Sequence, residues 1–208
     1  AKCQMSDGFY DSQALGRVVP ARKGLKNKVR PLVVGDLARK TCACTMCEEK
    51  KAKFLRCLGP EQHAVGLTAA IEKYAKSVLC LVQATDDIAV GLLDSISAYN
   101  NIKRDPILEE VETDCIEMLS FFATFMCRKS KYVFYDEDGT AHVIESADGV
   151  EQGAAESPAA FSFGIRRPLR RIRARLELLL AAAREEGDQA RIDAVLELLS
   201  FLDDLTLM

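Results

Sequence analysis

Leu196-Glu-Leu-Leu-Ser-Phe-Leu-Asp-Asp-Leu-Thr-Leu-Met208 sets two adjacent carboxylates, Asp203 and Asp204, between two short apolar arms. The arms fit the strands of a hairpin, with the charges at its turn. Upstream, Ile88-Ala-Val-Gly-Leu-Leu93 is a continuous apolar run that reads as a strand buried on both faces, and Asp94 ends it. Charges at the ends of buried strands are costly unless they are paired or bind a cation. Three carboxylates brought together repel one another and attract Mg²⁺, which takes oxygen ligands and keeps bonds open for phosphate oxygens. Two such ions about 3.5–4 Å apart can activate an attacking hydroxyl and stabilise a leaving pyrophosphate. An Asp-Asp pair taken alone reads as a solvated turn. The expected sheet core is Ile88, Val90, Leu92, Leu199 and Phe201.

The 208 residues are 49% hydrophobic and 28% charged, which excludes a disordered tail, a collagen-like fibre and a disulfide miniprotein. No apolar run approaches the length of a membrane span. The net charge of −3 argues against a strongly basic nucleic-acid binder, but it hides a split. Residues 1–60 carry 13 Lys/Arg against 5 Asp/Glu, whereas residues 61–208 carry 15 against 26. A +8 arm before a −11 body suits contact with polyanions at one end and cations at the other. The chain starts at Ala1 and closes on an apolar run at Met208, so it reads as a piece of a longer protein.

Between these landmarks the pattern predicts a short helix around Ser12–Val18 stopped by Pro20. A basic loop follows over 21–31, where Gly24 and Asn27 favour turns and Pro31 forces an extended residue before it. Leu32–Val34 reads as a short strand. Asp36 caps a helix to about Leu58, and Thr68–Gln83 forms an amphipathic helix with Ala69, Ile71, Ala75, Val78 and Leu79 inward. Asp105-Pro106 starts a helix running to about Cys127. Tyr132–Tyr135 and Ala141–Ser146 flank Asp136-Glu-Asp-Gly139 as a hairpin. Ser157-Pro158 opens a long helix to about Glu186, interrupted near Pro168. Fold class is therefore mixed α/β (α+β).

Three further segments bear chemistry. Gly149-Val-Glu-Gln152-Gly153-Ala-Ala-Glu-Ser157-Pro158 is a glycine-bounded loop entering a helix, able to approach a nucleotide or template backbone, or simply to turn. Lys23 and Arg30, with Lys26 and Lys28 between, suit a triphosphate or a solvated surface. Cys44, Cys47, Cys57 and His63 are four soft ligands in an order that fits no strong zinc template; the other reading is small thiols in an ordinary fold. The arginines at 166, 167, 170, 171, 173 and 175 do not all share one helix face, since 166, 170 and 173 lie together while 167 and 171 are rotated by about 100° per residue from their neighbours. They read as a solvated helix paired with Glu177, Glu185 and Glu186, the other reading being phosphate contact.

Taken in order, these segments resemble the reverse transcriptase family, closest to the non-LTR retrotransposon type. Lys28-Val-Arg-Pro-Leu-Val-Val-Gly-Asp-Leu37 resembles its fingers segment. Leu92-Leu-Asp-Ser-Ile-Ser-Ala-Tyr-Asn-Asn-Ile-Lys-Arg104 resembles its first catalytic motif, the hairpin feeding Gly-Val-Glu-Gln-Gly is similar, and Phe201-Leu-Asp-Asp-Leu-Thr-Leu207 resembles its aromatic-x-Asp-Asp motif. The resemblance spans about residues 21–208. It implies a right-hand polymerase with fingers over residues 1–86 and palm over 87–208, a fingers hairpin near 132–146, and no thumb.

The resemblance further implies that Asp94, Asp203 and Asp204 are catalytic metal ligands for two Mg²⁺ ions, with Mn²⁺ as a substitute. Tyr99 becomes the gate against a ribose 2′-hydroxyl. Lys23 and Arg30 grip the incoming deoxynucleoside triphosphate, and Gln152 and Gly153 sit beside the nascent base pair. The implied partners are an RNA or DNA template with primer and further domains of the same polyprotein, with no membrane, inside the nucleus or cytoplasm. The family continues Gln-Gly-Asp-Pro-Leu where this chain has Gln152-Gly153-Ala154-Ala155-Glu156. That departure and the missing thumb leave a second expectation, a decayed or domesticated nucleic-acid-binding module without catalysis.

Overall fold

The computed structural model describes residues 6–23, 28–59, 62–84, 91–189, 198–201 and 204–207. The chain divides into two units interleaved in sequence, Ala1–Lys50 with Ser97–Gly164 and Lys51–Ile96 with Ile165–Met208.

The first unit is built on a four-stranded sheet. Its strands are β1 (Leu15–Lys23), β2 (Lys28–Val34), β4 (Ser130–Tyr135) and β5 (Ala141–Ser146), in the order β2-β1-β4-β5. Both hairpins are antiparallel, and β1 joins β4 in parallel over Leu15–Arg17. The expected helix at 12–18 is cut short: α1 (Asp7–Ala14) ends where Leu15 enters β1. Val18 and Val19 are β-branched and favour the strand. Pro20 does not stop a helix but lies within β1, opposite Pro31 of β2. Both prolines are tolerated because β2 is an edge strand and β1 pairs with β4 only up to Arg17. The basic segment is likewise two hairpin arms and not a loop from 21 to 31, with Arg30 opposite Ala21.

Around this sheet lie α2 (Leu37–Glu49), α5 (Ala98–Asn101), α6 (Arg104–Asp114), α7 (Ile116–Met126) and the start of α8 (Ser157–Glu186). Asp36 caps α2, its Oδ1 accepting from the N–H groups of Ala38 (2.8 Å) and Arg39 (3.1 Å). The helix expected to reach Leu58 breaks at Lys50, and the one expected over 105–127 breaks at Cys115. Ile107, Val111, Met118, Phe122, Phe161 and Phe163 are buried. In the β4–β5 turn, Asp136 Oδ1 accepts from the N–H groups of Asp138 and Thr140, and Gly139 takes φ +79°. α8 runs on through Pro168 and ends at Gly187 (φ +67°).

The second unit holds α3 (Lys51–Leu58), α4 (Ala70–Ala84), the rest of α8, and a three-stranded antiparallel sheet of β3 (Gly91–Asp94), β7 (Asp204–Leu207) and β6 (Leu198–Phe201), in that order. Phe54, Leu58, Val65, Leu169 and Ala183 are buried there. Two expectations are corrected. β3 is not buried on both faces: it is the sheet's edge, and Leu92 is 77% exposed. No residue of α4 is buried, and Ile71 and Leu79 face solvent. An apolar run or stripe signals a face to be covered, but not by which part of a protein it is covered. Ile88 and Val90 lie outside the described residues. Among those described, no helix is long and apolar enough to cross a membrane.

Candidate functional site

The acidic positions converge through strand register. In the second unit's sheet, Asp94 is the last residue of β3 and lies opposite Asp204, the first of β7. Asp204 also faces Phe201 across the β6–β7 hairpin. Paired residues in antiparallel strands have Cα atoms about 4.5–5.5 Å apart. Two acidic positions therefore meet at one end of the sheet, from segments separated by more than a hundred residues. Asp203 falls on the hairpin between β6 and β7 and lies outside the described residues. Asp94 is exposed.

The first unit assembles Tyr99, Gln152 and Gly153 around one loop. The Tyr99 ring stacks on Phe161, with centroids 4.9 Å apart and planes 9° off parallel. Its carbonyl accepts from the Val150 N–H at 2.8 Å, and the Ile102 carbonyl accepts from the Gly149 N–H at 2.8 Å. The Gln152 carbonyl accepts from the Val33 N–H at 3.0 Å, which lashes the loop to β2. Gly153 takes φ +108°. Arg30 is exposed on β2; Lys23 ends β1.

Gly149 is the tightest point of this loop. Its φ is +80°, and a Cβ would lie 2.5 Å from the Asn100 carbonyl oxygen. Gly149→Ala combines a left-handed penalty of about 1–2 kcal/mol with a backbone clash. We expect a loss of roughly 2–4 kcal/mol in urea denaturation; a loss of under about 0.5 kcal/mol would show that the α5–loop contact is not held this closely.

The sequence pattern missed the strongest electrostatic feature. Arg39, on α2, donates from Nη1 to Glu151 and from Nη2 to Glu156, each at 2.9 Å, and all three side chains are buried. Its guanidinium also lies 4.2 Å from the centroid of the Phe125 ring. Both carboxylates hold Arg39 protonated against the opposing effect of burial. The Glu that replaces the family's pattern at 156 is thus committed to an internal ion pair. Glu151 and Glu156 bracket Gln152–Ala155, so one guanidinium ties down both ends of that segment. A cleft of about 220 Å³ opens beside it, lined by the end of β2, Asp36, Lys40 and residues 151–156. No local pattern marks Arg39, because its partners lie more than a hundred residues away. Arg104 is a second such residue, buried and donating to the carbonyls of Gly149 and Arg128 and to Ser130 Oγ.

The cysteine reading fares differently. Cys44 and Cys47 lie on α2 and Cys57 on α3. Among the described residues no group of three or more His, Cys, Asp or Glu side chains gathers to hold a metal. Burial pushes the Cys47 thiol up to about 11, and it donates to the Ala155 carbonyl at 3.7 Å. A thiol held protonated in this way is a poor zinc ligand.

No protein-family model matches the chain, and no curated protein does. Solved structures do. Telomerase from Candida tropicalis matches over 100% of this chain and 40% of its own, with a TM-score of 0.60 at 10% identity. The same protein truncated from its C-terminal domain matches over 94% of this chain and 43% of its own (TM-score 0.56, 11% identity). Telomerase from Candida albicans, in complex with a TWJ fragment of telomeric RNA, matches over 98% and 39% (TM-score 0.57, 11% identity). The fold is reverse-transcriptase-like. A reverse-transcriptase-like chain was the expectation from motif order, and the mixed α/β architecture agrees with it. The chain spans about two fifths of the length of these structures.

Proposed function

We propose that this chain is the catalytic-core part of an RNA-directed DNA polymerase, of the non-LTR type that the order of its motifs resembles, that extends a primer on an RNA or DNA template. The observation that carries the reading is the register of Asp94 against Asp204 in a reverse-transcriptase-like fold. The donor set fits Mg²⁺, since carboxylate oxygens are its preferred ligands. Asp94, Asp203 and Asp204 would hold two ions, with Mn²⁺ able to substitute. Bound there, the metal pair supplies Lewis acidity to the primer 3′-hydroxyl and offsets charge on the pyrophosphate leaving group.

The remaining residues bind and orient. Lys23 and Arg30 neutralise the incoming deoxynucleoside triphosphate. Tyr99, held by Phe161 and Val150, excludes the 2′-hydroxyl by its bulk. Gln152 and Gly153, lashed to β2, support the nascent base pair. Further domains of a longer protein complete the grip on primer and template, and work on nucleic acid places the protein in the nucleus or cytoplasm.

The test is primer extension by the longer parent chain on an RNA template with deoxynucleotides and Mg²⁺. Template-dependent extension is expected. Binding of the primer–template without any extension would replace this reading with the second one, a nucleic-acid-binding module without catalysis. Ala154-Ala155 beside the Gln152 loop is the feature that favours that alternative.

A further inference from the structure

Six arginines fall within residues 166–175, a stretch that contains no Asp or Glu. The structure sorts them. Arg166 is buried and Arg173 half-buried, whereas Arg167, Arg170, Arg171 and Arg175 are exposed on α8. These four stand at i, i+3, i+4 and i+8, which places them within about 140° of arc and about 12 Å of helix axis. The six do not all share one face, as expected, but the four exposed members do. The pairing expected with Glu177, Glu185 and Glu186 does not reach three of the exposed members, and Glu185 lies about 15 Å along the axis from Arg175. Among the described residues Arg170, Arg171 and Arg175 make no ion pair.

We infer that this face of α8 binds the phosphate backbone of nucleic acid without reading sequence. The occupant follows from what the stripe contains. Guanidinium groups present forked donors to phosphate oxygens. Ala174, one turn beyond Arg170 and Arg171 and between them around the helix, is small enough for a backbone to approach closely. A membrane surface would instead call for large apolar side chains among the cations; between Arg167 and Arg175 this face carries none, exposed Ile172 lying to one side and exposed Leu178 beyond the last arginine. The inference deepens the proposed function by naming a contact surface, and rests on it only for the class of partner.

The test is fluorescence anisotropy with a labelled RNA annealed to a DNA oligonucleotide, without nucleotides or metal. The full chain is compared with R170Q/R171Q/R175Q between about 50 and 200 mM salt. Each phosphate contact contributes about 0.7–0.9 to the slope of log affinity against log salt. The triple variant is expected to lose about 2–3 units of slope and at least tenfold in affinity near 100 mM salt. The matching Lys variant should keep most of both. Affinity within twofold of the parent, with unchanged slope, overturns the inference.

If circular dichroism shows the triple variant unfolded, the three single Gln variants decide. Each should lose about 0.7–0.9 of slope, and no loss in any of them overturns the inference. Binding to phosphatidylserine vesicles that the triple variant abolishes, with nucleic-acid affinity unchanged, overturns it in favour of a membrane surface. A chain that binds through this face but never extends a primer removes only the polymerase reading. One that extends primers and binds equally well without the arginines removes only this inference.

Discussion

Asp94→Asn and Asp204→Asn are each expected to lower primer extension by the parent chain about 10³-fold, a rise in barrier of about 4 kcal/mol. Loss of one preorganised charge-stabilising group at a reacting centre typically costs 10²–10³-fold, and here the lost group is also a cation ligand. Asn keeps the size and the strand register but contributes no negative charge. The same variants carry a prediction of opposite sign. Asp94 and Asp204 face one another in the sheet, and like charges at opposed positions destabilise it. Without divalent cation, either variant should therefore melt at the same temperature as the parent or slightly above it, by roughly 0.2–1 kcal/mol of stability. The parent should gain stability on adding Mg²⁺, because a ligand that binds only the folded state raises its apparent stability. The variants should not. Lost extension together with a lower melting point in the cation-free state would point to damaged folding and would remove the metal-site assignment. Asp203→Asn is expected to behave like them in extension.

How far the sequence carried this reading depends on which forces set each element. The β4–β5 hairpin and the cap at Asp36 were legible because their determinants are local: Asp136 and Gly139 satisfy the turn themselves, and Asp36 bonds within three residues. The convergence of Asp94 on Asp204 was legible only as motif order, since register between distant strands is a long-range property. β1 was misread because a proline and two valines look alike in a fraying helix and in a strand. Their pairing with β2, which begins five residues after β1 ends, decides the matter, and it shows only when the two arms are read together. The exposed stripes of α4 and β3 show the converse error. Apolar periodicity says that a face is apolar, and here those faces are open among the described residues. The arginines of α8 illustrate a third case. Helical spacing was known, yet which members are buried required packing, and removing Arg166 and Arg173 leaves a single face.

Arg39→Met should be the most destabilising single change in the first unit. Met matches the unbranched stem and keeps contact with Phe125, so little volume is lost. What is lost is the charge that Glu151 and Glu156 share, each 2.9 Å away in a buried setting. Removing one partner of a buried ion pair typically costs 3–5 kcal/mol, because the remaining charge is left uncompensated. Two carboxylates remain here, so a loss of at least about 4 kcal/mol in urea denaturation is expected. The triple variant Arg39→Met, Glu151→Gln, Glu156→Gln should recover more than half of it, since neutral amides avoid most of the charge-burial cost. Equal instability of the single and triple variants would mean that Arg39 acts through packing alone. The functional consequence follows from where the carboxylates sit. They bracket the segment that carries Gln152 and Gly153, so Arg39→Lys, which keeps the charge but loses the forked geometry, should fold yet hold that segment loosely. In the extension assay its KM for deoxynucleotide should rise severalfold more than its kcat falls, and a fall confined to kcat would place the role of Arg39 elsewhere.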